Sequence, residues 1–316
     1  MTACYWRRQV FQYHPVFGWW YLPNFYARVP LGQTYHYLTT NSDGMRSDRE
    51  YPRKRPAGRK RIAFLGDSYT AGDGVSNGQR FTDILEQRNP SLDAMNFGLN
   101  GSGTDQQLLI YENLAREFEA DAYVFCICIE NIARNLYNCF PSFDWREQLV
   151  AYRPKPYFSL TGTELELRNV PVPKERRISS ELGEDWHCVF PYVTGDPDPY
   201  AIYKDAESLH WRTMKTILSR FIAAVRGVPV FIVPMPMYNH YLGDDGPTYL
   251  PRIKELENSS GNIHVVDLLP AMQSVPLERR KGFRFPDDPH YTATAHLLVA
   301  DTLESCLRLH APALFD

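Results

Sequence analysis

No apolar run in this chain of 316 residues approaches the roughly 18–20 residues of a membrane span; the longest, Ala122 to Ile129, has strand length. An excess of charge is also missing. The 34 Lys and Arg stand against 37 Asp and Glu, a formal charge of −3, so no global positive field is available to hold nucleic acid or an anionic membrane. The six cysteines (Cys4, Cys126, Cys128, Cys139, Cys188, Cys306) are scattered and form no C-x-x-C pair, which indicates neither a zinc site nor a disulfide framework. Cys126 and Cys128 share one face of a strand and read as small buried hydrophobes. Met1 to Arg8 lacks the apolar stretch of a secretory leader, and the expectation is a soluble, cytoplasmic protein. No internal repeat is visible. What is present is 44% apolar and 14% aromatic residues, enough for a globular chain to bury a core.

Three zones differ in composition. Residues 1–57 are an aromatic-rich arm containing Trp19-Trp20-Tyr21, with little helical or strand periodicity, expected to gain order by packing its rings on the body. Its end, Arg53-Lys54-Arg55 and Arg59-Lys60-Arg61 around Pro56 and Gly58, reads as a solvated linker. Residues 58–316 form the main body, where short β-rich runs alternate with helical stretches, the signature of parallel βαβ units. Strands are expected near 61–66, 94–97, 122–129, 228–234 and 263–267, and helices over 79–88, 104–118, 204–226, 247–258 and 292–309. The class is a three-layer α/β/α sandwich with a mostly parallel five-stranded sheet. The proline-rich stretch at about 137–203 is too long for a simple connection and reads as an insertion able to roof a site, with a small hairpin at Tyr157–Leu160 and Leu165–Leu167.

Chemistry concentrates at the ends of the strands. The first runs into Leu65-Gly66-Asp67-Ser68-Tyr69-Thr70-Ala71-Gly72, a tight turn that displays a serine hydroxyl where open α/β sheets bind ligands. Near the other terminus stands Phe285-Pro286-Asp287-Asp288-Pro289-His290-Tyr291-Thr292. A hydroxyl is a poor nucleophile unless an imidazole takes its proton and a carboxylate orients that imidazole; this loop supplies both. An acyl-transfer oxyanion needs two or three donors. The second strand leads into the glycine-rich turn Asn96-Phe97-Gly98-Leu99-Asn100-Gly101-Ser102-Gly103, and the third into Ile129-Glu130-Asn131-Ile132. Convergence on one sheet edge distinguishes these from ordinary turns.

These blocks together resemble the SGNH hydrolases, the GDSL-type lipase and esterase superfamily, whose fold is flavodoxin-like. The match is carried by Gly66-Asp67-Ser68-Tyr69-Thr70, the Asn96–Gly103 turn and Asp287-Asp288-Pro289-His290, with Asn41-Ser42-Asp43-Gly44-Met45-Arg46 similar to an upstream segment of bacterial members. The resemblance implies Ser68 as nucleophile, His290 as general base and later acid, and Ser68, Gly101 and Asn131 as the oxyanion hole. The triad acid falls on Asp287 by the usual spacing or on Asp288 by the Asp-x-His spacing of some relatives; the following Tyr291-Thr292 favours Asp288. The third block departs from the family's Gly-x-Asn-Asp. Either Glu130 or Asn131 can occupy the asparagine position, and Asn131 is assigned because an ionised glutamate repels an oxyanion.

The expected activity is that of a serine esterase removing a small acyl group, acetyl by family analogy, from a carbohydrate or similar polar substrate, with no cofactor or metal. Acyl transfer by the same triad, or a binding protein on a degenerate fold, are the alternatives. Arg46, Arg134, Asn135 and Gln106 are possible substrate contacts whose default is solvated surface. His240 lies on the active edge as a loop histidine, and His296 packs or caps. Asp67 and Asp73 have no histidine spacing that would support a metal pair.

Overall fold

The computed structural model describes residues 10–31, 34–144, 149–178, 199–225, 227–257 and 261–316. Cys4, Cys188 and the stretch 179–198 of the expected insertion lie outside them. The chain begins with two antiparallel hairpins, β1 (Phe11–His14) with β2 (Gly18–Tyr21) and β3 (Tyr26–Leu31) with β4 (Thr34–Thr39). The main sheet contains β5 (Lys60–Leu65), β6 (Leu92–Asn96) and β7 (Ala122–Cys128). After β7 come β8 (Cys139–Asp144), β9 (Leu149–Pro154), the hairpin β10 (Tyr157–Thr161) and β11 (Glu164–Arg168), and the short β12 (Arg177–Ile178). β13 (Val230–Met235) and β14 (Ile263–Val265) return to the main sheet, and β15 (Arg284–Phe285) with β16 (Asp288–Tyr291) forms a final small ribbon. The helices that follow strands of the main sheet include α1 (Ser68–Ala71), α2 (Phe81–Arg88) and α3 (Thr104–Asn113). Then come α4 (Pro199–Ile202), α5 (Leu209–Ala224), α6 (Tyr238–Leu242), α7 (Leu250–Lys254), α8 (Leu269–Ser274), α9 (Leu277–Arg280) and α10 (Ala293–His310).

The central sheet is five-stranded and wholly parallel, in the order β14-β13-β7-β5-β6. Counted along the chain from the β6 edge this is 2-1-3-4-5, the flavodoxin-like order, with its switch point between β5 and β7. Every residue of β7 and β13 is buried, as expected of strands covered on both faces. Alternation sorts the layers. Phe64 meets Phe81 of α2 at 5.7 Å, whereas Phe125, paired in register with its neighbour Leu65, meets Phe221 of α5 at 5.0 Å. Accordingly α2 packs with α10 and α3 with α5.

Several expectations need correction. The helix expected over 204–226 starts only at Leu209, because the Ser208 hydroxyl accepts from the Trp211 N–H at 3.3 Å and caps it there. The one expected over 247–258 shrinks to Leu250–Lys254, with Pro251 in its first turn. The Arg-rich linker is far from solvated at its end: Arg61 is fully buried and, with Arg49 and Arg59, converges on Asp93, while Arg53 pairs with Asp43 and Glu117. Cysteine spacing also misled, since Cys139 is disulfide-bonded while Cys126, Cys128 and Cys306 are free. Disulfides persist in oxidising compartments and are rare in the cytosol, so cysteine spacing lends the cytoplasmic expectation no support. No helix among the described residues is long and apolar enough to cross a membrane.

The arm is stitched to the body by polar groups as well as rings. Phe17, Trp19, Trp20 and Tyr21 are buried, the Trp19 indole donates to the Asn100 carbonyl at 2.9 Å, and Gln106 donates to the Phe17 carbonyl at 2.7 Å. Arg46, offered as a surface contact, is instead 1% exposed. Its guanidinium donates to the carbonyls of Ala71 (2.9 Å), Gly72 (2.6 Å), Tyr37 (3.4 Å) and Val75 and to the Asn77 side chain (2.9 Å). This one cation therefore satisfies the turn that follows Ser68. The Gly72 and Tyr37 carbonyls also accept the backbone N–H groups of Val75 and Asn77, but Arg46→Met removes the donor of the Ala71 and Val75 carbonyls and of the Asn77 side-chain oxygen. At about 1–3 kcal/mol for each group left unsatisfied the variant should lose roughly 3 kcal/mol or more of stability in urea unfolding. A midpoint equal to that of the wild type would show the contacts to be energetically idle.

Candidate active site

The buried run of β5 delivers Asp67 and Ser68 to the carboxyl edge of the sheet. Asp67 caps α1, its Oδ1 accepting from the Tyr69 N–H at 3.0 Å, so the Ser68 N–H at the head of that single turn is directed out of the strand edge. Ser68 is 5% exposed. The glycine-rich turn after β6 comes against it backbone to backbone. A Cβ on Gly98 would stand 2.4 Å from the Ala71 nitrogen, so only glycine permits this approach. Gly101 has φ of 73°, a left-handed conformation that glycine adopts without strain.

The two distant blocks meet. His290 Nε2 lies 2.8 Å from Ser68 Oγ, and its Nδ1 lies 2.6 Å from Asp288 Oδ1, which also accepts the His290 backbone N–H at 2.9 Å. Asp288 and His290 are alternate residues of β16 and so project to the same side. Asp287 sits exposed in the turn before that strand. The Tyr69 hydroxyl donates to the Pro289 carbonyl at 3.0 Å, and its ring lies 5.0 Å from the His290 ring. Burial alone depresses the His290 pKa, but the hydrogen bond to Asp288 and the charges of Asp73, Asp288 and Asp67 outweigh it and hold the pKa above its ordinary value. The Asp288 carboxyl, which burial raises, is brought below the carboxylate range by that same imidazole.

On the nucleophile turn and the glycine turn, the backbone N–H groups of Ser68 and Gly101 donate to no described residue. Asn131 turns toward the nucleophile block, its amide donating to Asp67 Oδ2 and keeping a second N–H. Glu130 turns the other way and accepts from the Tyr200 hydroxyl; burial raises its pKa. The remaining residues considered from the sequence are mostly scaffold. Asn135 and Gln106 are buried, the former accepting the Asp105 N–H at 3.0 Å and the latter the Gly103 N–H at 3.2 Å. Arg134 lies 4.0 Å from Asp67 and donates to the Ser102 carbonyl at 3.2 Å. His240 is buried in α6 between the rings of Tyr200 and Tyr249, and His296 stacks on Phe81. Among the described residues no group of three or more His, Cys, Asp or Glu is placed to hold a metal.

One site neighbour was missed altogether. His36, on β4 of the arm, is buried within electrostatic reach of His290 and Asp288, and burial with the Arg46 charge lowers its pKa to about 3. Its only sequence signal was its place between Tyr35 and Tyr37, whose side chains face solvent.

No family profile matches the chain, and no curated protein does. Among solved structures it is similar to a member of the lipolytic G-D-S-L family from Veillonella parvula (13% identity, 78% of this chain and 97% of that one, TM-score 0.44). It is also similar to a lipase from a goat rumen metagenome (14%, 78% and 96%, 0.46) and to the lipase/acylhydrolase of Enterococcus faecalis (14%, 79% and 95%, 0.44). At this level of similarity the side-chain geometry, not the likeness, carries the functional reading.

A raised His290 pKa has a direct observable. In histidine NMR the His290 imidazole should titrate above the ordinary 6.5, and Asp288→Asn, which removes the charged acceptor that most raises it, should bring the midpoint down. A wild-type midpoint at or below 6.5 would contradict the arrangement.

Proposed function

We propose that the chain is an SGNH-type serine hydrolase acting on ester bonds. The observation that carries this is the continuous hydrogen-bonded line from Ser68 Oγ through His290 to Asp288. In this reading neutral His290 accepts the Ser68 proton through Nε2 as Oγ attacks the ester carbonyl, and Asp288 stabilises the imidazolium that forms. The tetrahedral oxyanion is received by the N–H groups of Ser68 and Gly101 and the free N–H of Asn131. Collapse breaks the C–O bond to the alcohol, which takes the proton from His290. Water, deprotonated by the same imidazole, then hydrolyses the acyl-enzyme and returns Ser68.

The finer reading is removal of acetyl from a hydroxyl of a carbohydrate or similar polar molecule. It is supported by the β3–β4 hairpin, whose inner residue His36 faces the triad while Tyr26, Tyr35 and Tyr37 expose rings 5.5–5.8 Å apart outside, a surface suited to stacking on sugar rings. The domain reading that goes with it is an arm of residues 1–57 and an insertion at about 137–203 on one catalytic unit spanning 58–316.

A fluorophosphonate probe should label the wild type and leave Ser68→Ala blank; an unlabelled wild type that also fails to hydrolyse an aryl acetate would leave a binding protein on this fold as the better reading. Asp288→Asn should lower kcat by about 10⁴-fold, as loss of a triad carboxylate does elsewhere, while Asp287→Asn should change it little. Acetate release from acetylated sugars should exceed that from acetylated lipids or peptides; the reverse order would reject the carbohydrate assignment.

A further inference from the structure

Asp73 belongs to neither the triad nor the oxyanion donors, yet it is tied to both. Its backbone N–H donates to the Ser68 carbonyl at 3.0 Å, closing the turn that starts at the nucleophile. Its carboxylate accepts from the side-chain amide of Asn100, the residue immediately before Gly101. The Asn100 carbonyl is in turn held by the Trp19 indole, and the peptides before Asp73 are fixed by Arg46 through the carbonyls of Ala71 and Gly72. Asp73 thus bridges the nucleophile turn and the glycine turn, held by buried groups at each end.

Resting on the hydrolase reading above, we propose that Asp73 is a positioning residue: clamped to Asn100, it fixes the gap between Ser68 and Gly101 and keeps its own carboxylate within electrostatic reach of His290. Charged or titratable groups face the imidazole from four elements. Asp288 comes from its own strand, Asp67 and Tyr69 from α1 and its cap, Asp73 from the turn after α1, and His36 from β4; burial raises the Tyr69 pKa and keeps that hydroxyl neutral. His36 stays neutral above its pKa of about 3, so across the working range the field at His290 is set by three carboxylates. Asp67 shares its charge with Asn131 and the Tyr69 N–H, and Asp288 is spent on Nδ1. Asp73 is then the carboxylate that stabilises the imidazolium without directing the ring, which moves the active, neutral form of His290 to higher pH.

The test is the pH dependence of fluorophosphonate labelling at Ser68, with the His290 NMR titration read in parallel. Asp73→Asn keeps an acceptor for Asn100 but removes the charge, so both midpoints should fall by about 0.5–1 pH unit, the size expected for one partly screened charge. Asp73→Glu should restore the wild-type midpoint, which a purely structural role does not predict. Asn100→Leu releases the clamp and should slow labelling roughly tenfold or more through misplacement of the oxyanion donors. Asp73→Asn profiles that superimpose on the wild type would overturn the proposal. If the wild type is not labelled at all, the hydrolase reading fails by itself, and the NMR midpoint of Asp73→Asn still decides whether Asp73 acts on His290.

Discussion

A buried guanidinium bound to backbone carbonyls is the constraint on which the site rests. Among the described residues Arg46 has no carboxylate at hydrogen-bond distance; it spends its donors on four peptide carbonyls and one amide oxygen. Burial and the nearby charge of Arg80 lower its pKa to about 10, still leaving it cationic at neutral pH, while Asp73 and Asp83 supply compensating negative charge. Three segments meet on this one side chain: the Asn41–Arg46 loop, the β4 strand and the turn that follows Ser68. A lysine could not replace it, because a point ammonium lacks the planar fork that reaches several carbonyls at once. The arm is therefore part of the means by which the nucleophile turn holds its shape.

The choice between the two adjacent aspartates follows from strand geometry. Asp288 and His290 lie two apart in an extended segment, so their side chains leave on the same side and a bond from Nδ1 to Oδ1 forms within the strand. Asp287 belongs to the preceding turn and looks into solvent. An acid three residues before the histidine requires that intervening segment to curl back; here β15 pairs with β16 across the turn and keeps it extended. The local secondary structure decides which aspartate bonds His290.

The sheet and the convergence of Ser68 with His290, 222 residues apart, were legible because each depends on short-range signals. Continuous apolar runs mark strands, and motifs at strand ends inherit their place from the topology. What was illegible depends on tertiary partners. The arm's first strand, Phe-Gln-Tyr-His, is partly buried at its two ends and exposed between them, a pattern without alternation, so its hairpin could not be seen. Charged residues at Arg46 and Arg61 read as surface because their carbonyl and carboxylate partners are distant in sequence. The Tyr157–Leu160 and Leu165–Leu167 hairpin, closed by the turn at Gly162, was visible for the opposite reason: its pairing is local.

The third block shows how neighbouring charges settle which of two adjacent side chains turns toward Ser68. With Glu130 and Asn131 adjacent, one side chain must face Ser68 and the other must leave. The 3₁₀ geometry of Ile129–Leu136 rotates successive residues by about 120°, enough to send them to different partners. Asp67 accepts from the Asn131 amide, an interaction that a second carboxylate at that place would replace with repulsion. Glu130 finds a donor in the Tyr200 hydroxyl, which accepts from the Asn239 side chain of α6. Each carboxylate thus receives a donor only in this arrangement. Exchanging the two would set Glu130 against the buried Asp67 and leave Tyr200 without its acceptor, so electrostatics directs the amide, and not the carboxylate, toward the nucleophile block.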